Sequence, residues 1–395
     1  METGLLPPSE KIRDILQSLS EVGDPKPGAA NLIDVGSSDF INFFDNEILD
    51  SFIEKGGSTC RFFEGVYGAG KTHLLQLIED LALDKGYIIC RIELTKDIDF
   101  SRPHIITKHI LEHCKAKING QLIRHYPNIL EKAGYEKIIQ SHSLDAVQLS
   151  HSCLQNAIGY AIKRSTLDNE AWGLINRYLL GEKVLVRELK MNGLKGIKTS
   201  LTEKSAEQFL QTALNSIHYL GFKGFILLYD ETERSWVSNR TPTPKKVQIA
   251  ANIIRRFIDA CSAGDIKGTL AIFAVLPNFI RDCIDCYPAL GQRLILQNNS
   301  NEIAAWRWPV LPLYAVNSMS DFNLDFSVQK ENFFLAAKKK FTELVDYCGG
   351  DIKGINDDFD KYAHGELNNW TNEEYRRMLI KTLSEIALLR IEESV

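Results

Sequence analysis

Apolar positions along this chain fall into two kinds of run. Short continuous runs at 60–64, 87–94, 224–231, 269–276 and 306–311 read as buried strands. Longer stretches at 8–21, 39–55, 73–83, 247–262, 278–286 and through 328–395 repeat every three to four positions and read as helices. Strands alternating with helical stretches predict an α/β fold with parallel strands. From Pro103 to about Leu220 the pattern is almost wholly helical, with Val184, Leu185 and Val186 the one weak strand-like triplet. That tract exceeds what a single crossover needs, so 101–220 is expected to be a helical insertion. Ser9, after Pro7 and Pro8, is the expected N-cap of the first helix, and Gly56-Gly57 should end the second.

The run at 60–64 leads straight into Gly65-Val66-Tyr67-Gly68-Ala69-Gly70-Lys71-Thr72, which satisfies G-x-x-x-x-G-K-[ST]. Glycines let successive backbone N–H groups turn inward, and together these form a nest for an anion. Lys71 adds a point charge for the β- and γ-phosphates, and Thr72 offers a hydroxyl to Mg2+. His73 opens the helical stretch that follows, and the positive end of that helix faces the same place. Strand, glycine loop and helix in this order are the context the motif requires. Gly65 to His73 are therefore expected to bind ATP.

Composition adds bounds. The 395 residues are 44% hydrophobic and 25% charged, with a formal net charge of −5. This is ordinary globular usage, and any nucleic-acid surface would have to be a local patch. No run of about 18 apolar residues occurs, so no membrane span is expected. The N-terminus lacks the pattern of a signal peptide. The eight cysteines lack framework spacing, which fits a reducing cytoplasm.

Hydrolysis needs a metal-holding carboxylate at a strand end. Asp230 follows five apolar residues and is the candidate Mg2+ ligand, while Glu231 is the candidate base for the attacking water. Asn278, just beyond the next apolar run, could help hold that water or could simply cap a loop. Arg293 could reach a neighbouring protomer's nucleotide if the protein forms rings, or be an ordinary ion-paired surface residue. Arg376 and Arg377 are weaker candidates for an arginine that senses the γ-phosphate. Cys283 and Cys286 lack a second ligand pair for zinc, and His142 and His151 lack partner spacing. Two basic stretches read first as solvated surface and second as contacts to nucleic acid or a partner. One is 183–204, and the other is Lys245-Lys246 with Arg255-Arg256.

Taken in order, RFFEGVYGAGKTHLLQLIEDLAL, YIICRIEL, GFKGFILLYDETE, LAIFAVLPNF and YPALGQRL resemble the BREX (bacteriophage exclusion) system ATP-binding proteins, BrxD-like. These lie within the AAA+ and origin-recognition-type P-loop ATPases. The resemblance spans roughly 10–390. It implies antiphage defence, ATP binding, turnover to ADP and phosphate, and other BREX proteins as partners, with a helicase and DNA among the candidates. It matches Gly65, Gly70, Lys71 and Thr72 to the nucleotide loop, Asp230 and Glu231 to the metal and water carboxylates, and Arg293 to the arginine of Y-P-A-L-x-x-R. One departure is Val35-Gly36-Ser37, where many relatives carry Val-Gly-Arg.

The expected fold is a P-loop NTPase of the AAA+/ASCE type with sheet order 5-1-4-3-2. Residues 1–58 form a helical segment packing on the nucleotide site, 59–100 and 221–315 the core, 101–220 the insertion and 316–395 a helical lid. The expected protein is cytoplasmic, and an ATP-dependent homo-oligomer is compatible with Arg293. Two alternatives stay open: a nucleotide-gated switch with little turnover, and a replication initiator or loader. A signalling NTPase with C-terminal sensor repeats is disfavoured because the chain shows no repeats.

Overall fold

The computed structural model describes residues 7–23, 28–136, 144, 147–235, 237–238, 241–242, 244–294, 306–316, 326–371 and 374–393. The chain divides into two compact units, one of residues 1–43, 63–78 and 298–395, the other of 44–62 and 79–297.

Nine strands occur among the described residues: β1 Ser58–Glu64, β2 Ile88–Glu93, β3 Lys115–Ile118, β4 Gln121–Arg124, β5 Phe225–Asp230, β6 Val237–Ser238, β7 Thr241–Pro242, β8 Thr269–Val275 and β9 Val310–Pro312. Seven form one sheet in the order β4-β3-β2-β5-β8-β1-β9, and β6 pairs with β7 as a separate ribbon. β2, β5 and β8 run parallel, with Ile88 opposite Phe225, Glu93 opposite Asp230 and Phe225 opposite Thr269. β5 and β8 are buried along their whole length, as strands covered on both faces should be.

In the second unit, ring stacking of Phe62 on Phe273 at 5.0 Å and of Tyr229 on Phe273 at 4.6 Å fills the centre of the sheet. The π-helix Phe44–Ile53 is fixed to the start of β2, where the Tyr87 hydroxyl donates to the Leu49 carbonyl at 2.8 Å. Lys85 bridges Asp45 and Asp50 beside it.

The tract after Pro103 corrects the expectation of an almost wholly helical insertion at 101–220. Helices Pro103–His113, Tyr126–Tyr135, Ser152–Ile162, Asn169–Leu179, Val186–Met191 and Ala206–Tyr219 are present, but β3 and β4 form a hairpin that extends the sheet antiparallel to β2. The reason is Asn119-Gly120, with φ of 49° and 79°, the two-residue turn that closes a hairpin with the right twist. Val184-Leu185-Val186 is not a strand. Val184 is buried, and Val186 begins a helix.

In the first unit, helix Ser9–Val22 packs against Tyr375–Glu392, which in turn packs against Phe326–Tyr347. Ile12, Leu16 and Leu19 share one core with Leu379, Leu383, Phe334 and Phe341. Ser9 is not the N-cap. Pro8, held in extended geometry, takes that place, and its carbonyl accepts from Lys11 and Ile12 at 2.9 and 3.2 Å. The strand expected from 306 starts only at Val310, because Trp306 is drawn into an aromatic cluster with Phe40 at 5.6 Å and Phe43 at 5.1 Å. Pro309 also lacks an N–H for a ladder.

At the entry to β5, Gly224 has φ of 155°, and a Cβ there would sit 2.6 Å from the Gly268 carbonyl. Gly224→Ala is expected to cost about 1–3 kcal/mol through this backbone clash. A lowered urea midpoint would show it, and an unchanged midpoint would contradict the close approach.

Candidate nucleotide-binding site

The first unit contains the glycine loop. Gly65 to Gly70 carry no regular structure, and helix Lys71–Asp84 begins at Lys71. Gly68 and Gly70 have φ of 75° and 93°, values an L side chain rarely adopts, so the motif's glycines sit where the backbone needs them. A Cβ on Gly65 would lie 2.8 Å from Leu313 Cδ1, which ties this position to the segment after β9.

Lys71 is only 8% exposed. Its ammonium donates to the Gly65 carbonyl at 2.8 Å and the Val66 carbonyl at 3.0 Å, and it lies 5.4 Å from the centre of the Tyr67 ring. Tyr67 itself is exposed. Thr72 and His73 are half-buried in the first turn, and His73 Nε2 lies 3.4 Å from Asp34 Oδ1. Just after Asp34 comes the Val35-Gly36-Ser37 departure, where Gly36 has φ of 81° and Ser37 is buried.

Arg376, at the start of the C-terminal helix, donates to the Ala69 carbonyl at 3.2 Å. It stacks over Phe333 at 5.0 Å and bonds the Tyr375 hydroxyl at 2.8 Å. Of the two weaker arginine candidates, this one touches the loop. Arg377 instead packs against Gly23.

The second unit contains the carboxylates. Asp230 ends β5 and is 4% exposed. Its Oδ2 accepts from Arg91 Nη2 at 2.8 Å, and its Oδ1 accepts from the Glu231 N–H at 3.0 Å. Arg91 also lies 3.9 Å from Glu79, which in turn pairs with Lys115. Glu231 has φ of 51°, a strained backbone for a glutamate, and its carboxylate pairs with Arg234 at 2.9 Å. Strain of about 1–3 kcal/mol at a strand end is the kind of cost that functional positions retain.

Two residues here escaped the sequence reading. Arg91 is the lone cation in an apolar strand, a visible signal whose partner was not. Glu233 is 8% exposed, and both of its carboxylate oxygens are buried without a hydrogen-bond partner among the described residues. Its signal was the Asp230-Glu231-Thr232-Glu233 spacing.

Asn278 falls in the first turn of helix Pro277–Cys286, and its side chain lies outside the described residues. Arg293, on helix Pro288–Leu294, is bonded within its own chain: Nε to Asp259 Oδ1 at 2.7 Å, and Nη1 to the Ala289 carbonyl at 2.8 Å. His142 and the Cys283 side chain lie outside the described residues, and His151 caps helix Ser152–Ile162. No group of three metal-ligating side chains occurs among the described residues, and no described helix is long and apolar enough to cross a membrane.

The family model described as BREX system ATP-binding protein BrxC/D matches residues 8–121 and 142–330. The chain belongs to this family. No curated protein and no solved structure matches the chain. Membership makes this BrxC/D protein an ATP-binding component of a BREX defence system. The glycine loop suits that ligand chemically, since left-handed glycines, a buried ammonium and the start of a 14-residue helix are what triphosphate oxygens require.

The charges near β2 in this BrxC/D chain give a pH test. The Asp80 carboxyl is pushed up to about 6, first by burial and then by Glu79, while Lys115 and Arg91 act the other way. A carboxyl raised in the folded state favours folding fully below about pH 4 and loses that contribution as pH rises through about 6. A displacement of this size corresponds to about 3 kcal/mol, which screening of this partly exposed group reduces to about 1 kcal/mol. Asp80→Asn should therefore melt higher than wild type at pH 7.5, with the gain gone at pH 3.5. A difference that does not vary with pH would remove Asp80 as its source.

Proposed function

We propose that this chain is a P-loop ATPase that binds ATP with Mg2+ and hydrolyses it, coupling the cycle to DNA or to a partner of the same defence system, such as a helicase. The observation that carries this reading is the nine-tenths-buried Lys71 ammonium, held inside a left-handed glycine loop at the start of a helix. The strand order β2-β5-β8-β1-β9 supports the additional-strand architecture. In this reading 59–100 and 221–315 are the ATPase core, 1–58 packs on the nucleotide side, 101–220 is an insertion with its own hairpin, and 316–395 is a lid.

Gly65 to His73 hold the phosphates, with Lys71 exchanging loop carbonyls for phosphate oxygens. Thr72, through its hydroxyl, and Asp230, through its carboxylate, would hold the metal, since Mg2+ takes oxygen ligands. The metal, when bound with ATP, supplies charge neutralisation at the phosphates. Arg91 holds one Asp230 oxygen and fixes the direction of the other. Glu231 takes the proton of the attacking water, and Asn278 orients that water. Arg376 follows the loop from the lid, and Arg293 offers charge to a neighbouring protomer's nucleotide once released from Asp259.

A switch with little turnover is favoured by one observation, the engagement of the Glu231 carboxylate by Arg234. Turnover assays with and without duplex DNA separate the two readings.

Lys71→Ala is expected to abolish binding of a fluorescent ATP analogue. Glu231→Gln should bind the analogue as wild type does and lose turnover by about 100-fold or more. Equal rates of phosphate release from wild type and Glu231→Gln would remove Glu231 from the mechanism.

A further inference from the structure

The segment from Lys183 to Lys198 carries five cations, Lys183, Arg187, Lys190, Lys195 and Lys198, against one carboxylate, Glu188, in a chain whose net charge is −5. All five cations are exposed, and none forms an ion pair among the described residues. Other exposed lysines of the same unit, such as Lys55 and Lys96, stand singly, and several cations are paired. Lys85, Arg91, Lys115, Arg255, Arg256 and Arg293 each have a carboxylate partner.

The backbone carrying the free cations is fixed in place. Leu189, Leu194 and Ile197 are buried beneath it. Asn156 donates to the Gly196 carbonyl at 3.1 Å, the Lys195 N–H donates to the Tyr160 hydroxyl at 2.9 Å, and the Tyr178 hydroxyl donates to the Thr199 carbonyl at 2.8 Å. The Lys198 N–H is held by the Cys153 sulfur at 3.3 Å. A solvated charge run needs no such anchoring. A surface that presents charges at fixed spacing to a polyanion does.

We infer that this platform is a double-stranded DNA-binding surface that contacts phosphates and reads no sequence. The inference rests on the reading that the ATPase works on DNA and names where it would do so. Unpaired cations at fixed positions are the chemistry of phosphate contacts. Single strands are held by stacking bases on exposed aromatic rings, and 183–198 contains no aromatic residue. A membrane surface would ask for a broad apolar face beside the cations. Here the exposed apolar residues are Leu185 and Met191, on or beside a helix of six residues.

The test uses the full chain and a fluorescent 30-base-pair duplex, read by anisotropy across a salt series. If all five cations neutralise phosphates, the slope of log affinity against log salt includes about −4.5 from this platform, or about 500-fold between about 50 and 200 mM salt. A variant with all five replaced by Gln should show a slope shallower by about that amount and bind ATP as wild type does. A control with Gln at the exposed Lys11, Lys55, Lys96, Lys339 and Lys353 should keep the wild-type slope. If the fivefold variant does not fold, Lys190→Gln and Lys195→Gln singly should each remove about 0.9 from the slope.

The inference is overturned by any of four results: no duplex binding by wild type at about 50 mM salt, a wild-type slope in the platform variants, an equal loss in the control, or tighter binding to phosphatidylserine vesicles than to duplex. ATP-analogue binding is read separately. Its absence in wild type would sink the ATPase reading alone, and an unchanged salt slope would sink the platform alone.

Discussion

The Lys71 ammonium is a full charge with little access to water, and the shape of the glycine loop follows from that. A buried cation must be surrounded by acceptors or lose several kcal/mol of hydration. Here the acceptors are carbonyls of the loop itself, Gly65 and Val66, which curl back over the side chain. That curl demands left-handed backbone at Gly68 and Gly70 and leaves no room for a Cβ at Gly65 against Leu313. Arg376 takes the Ala69 carbonyl from the C-terminal helix. Two cations therefore occupy loop carbonyls, and the helix start adds the electrostatic bias toward an anion. Triphosphate oxygens arriving at Lys71 would replace one set of acceptors by a stronger one, so the desolvation of the lysine is already met in the folded chain.

The end of β5 is governed by a related rule with the sign reversed. Asp230 is a buried carboxylate, and Arg91, one strand over in the parallel register, supplies its counter-charge. The backbone then turns into a strained geometry at Glu231, whose N–H returns to Asp230 Oδ1. Both acidic side chains are thus fixed in direction by neighbours that are not themselves acids. Glu233 lacks such a neighbour among the described residues. Burying a carboxylate without a hydrogen-bond partner carries a cost in free energy.

What could be read from the sequence was whatever depends on near neighbours. β1, β2, β5 and β8 were visible as apolar runs, the glycine loop as a motif, and the C-terminal helices as a period of three to four. The β3–β4 hairpin was hidden because its residues sit within a long helical text, and only Asn119-Gly120 betrayed it. Ser9 was a good capping residue displaced by the stiffer Pro8. Contacts between residues far apart in the chain could not be read at all. The Arg91–Asp230 pair joins residues 139 positions apart, and Arg376 reaches a loop carbonyl 307 positions away. The ion pair of Arg293 with Asp259 belongs to the same class: one of the two roles first considered for that arginine was a surface pair, and the partner is what the sequence lacked.

Four of the groups to which the reading assigns chemistry are engaged locally, and the strength of those engagements bears on how the protein would be switched. Lys71 rests on carbonyls, Glu231 on Arg234, Arg293 on Asp259 and Arg376 on the Ala69 carbonyl. The Glu231–Arg234 pair is partly solvated, and such pairs contribute about 0–1 kcal/mol. A nucleotide or partner that prefers the released carboxylate by only a few kcal/mol would therefore shift nearly all molecules to it. The carbonyl contacts of Lys71 and Arg376 need no breaking of an ion pair, only a change of acceptor. In the proposed reading, control would come from side-chain exchange within each unit on a fixed backbone. The strained turn at Glu231 keeps that exchange confined to the carboxylate, because the backbone beneath it is already held by Asp230.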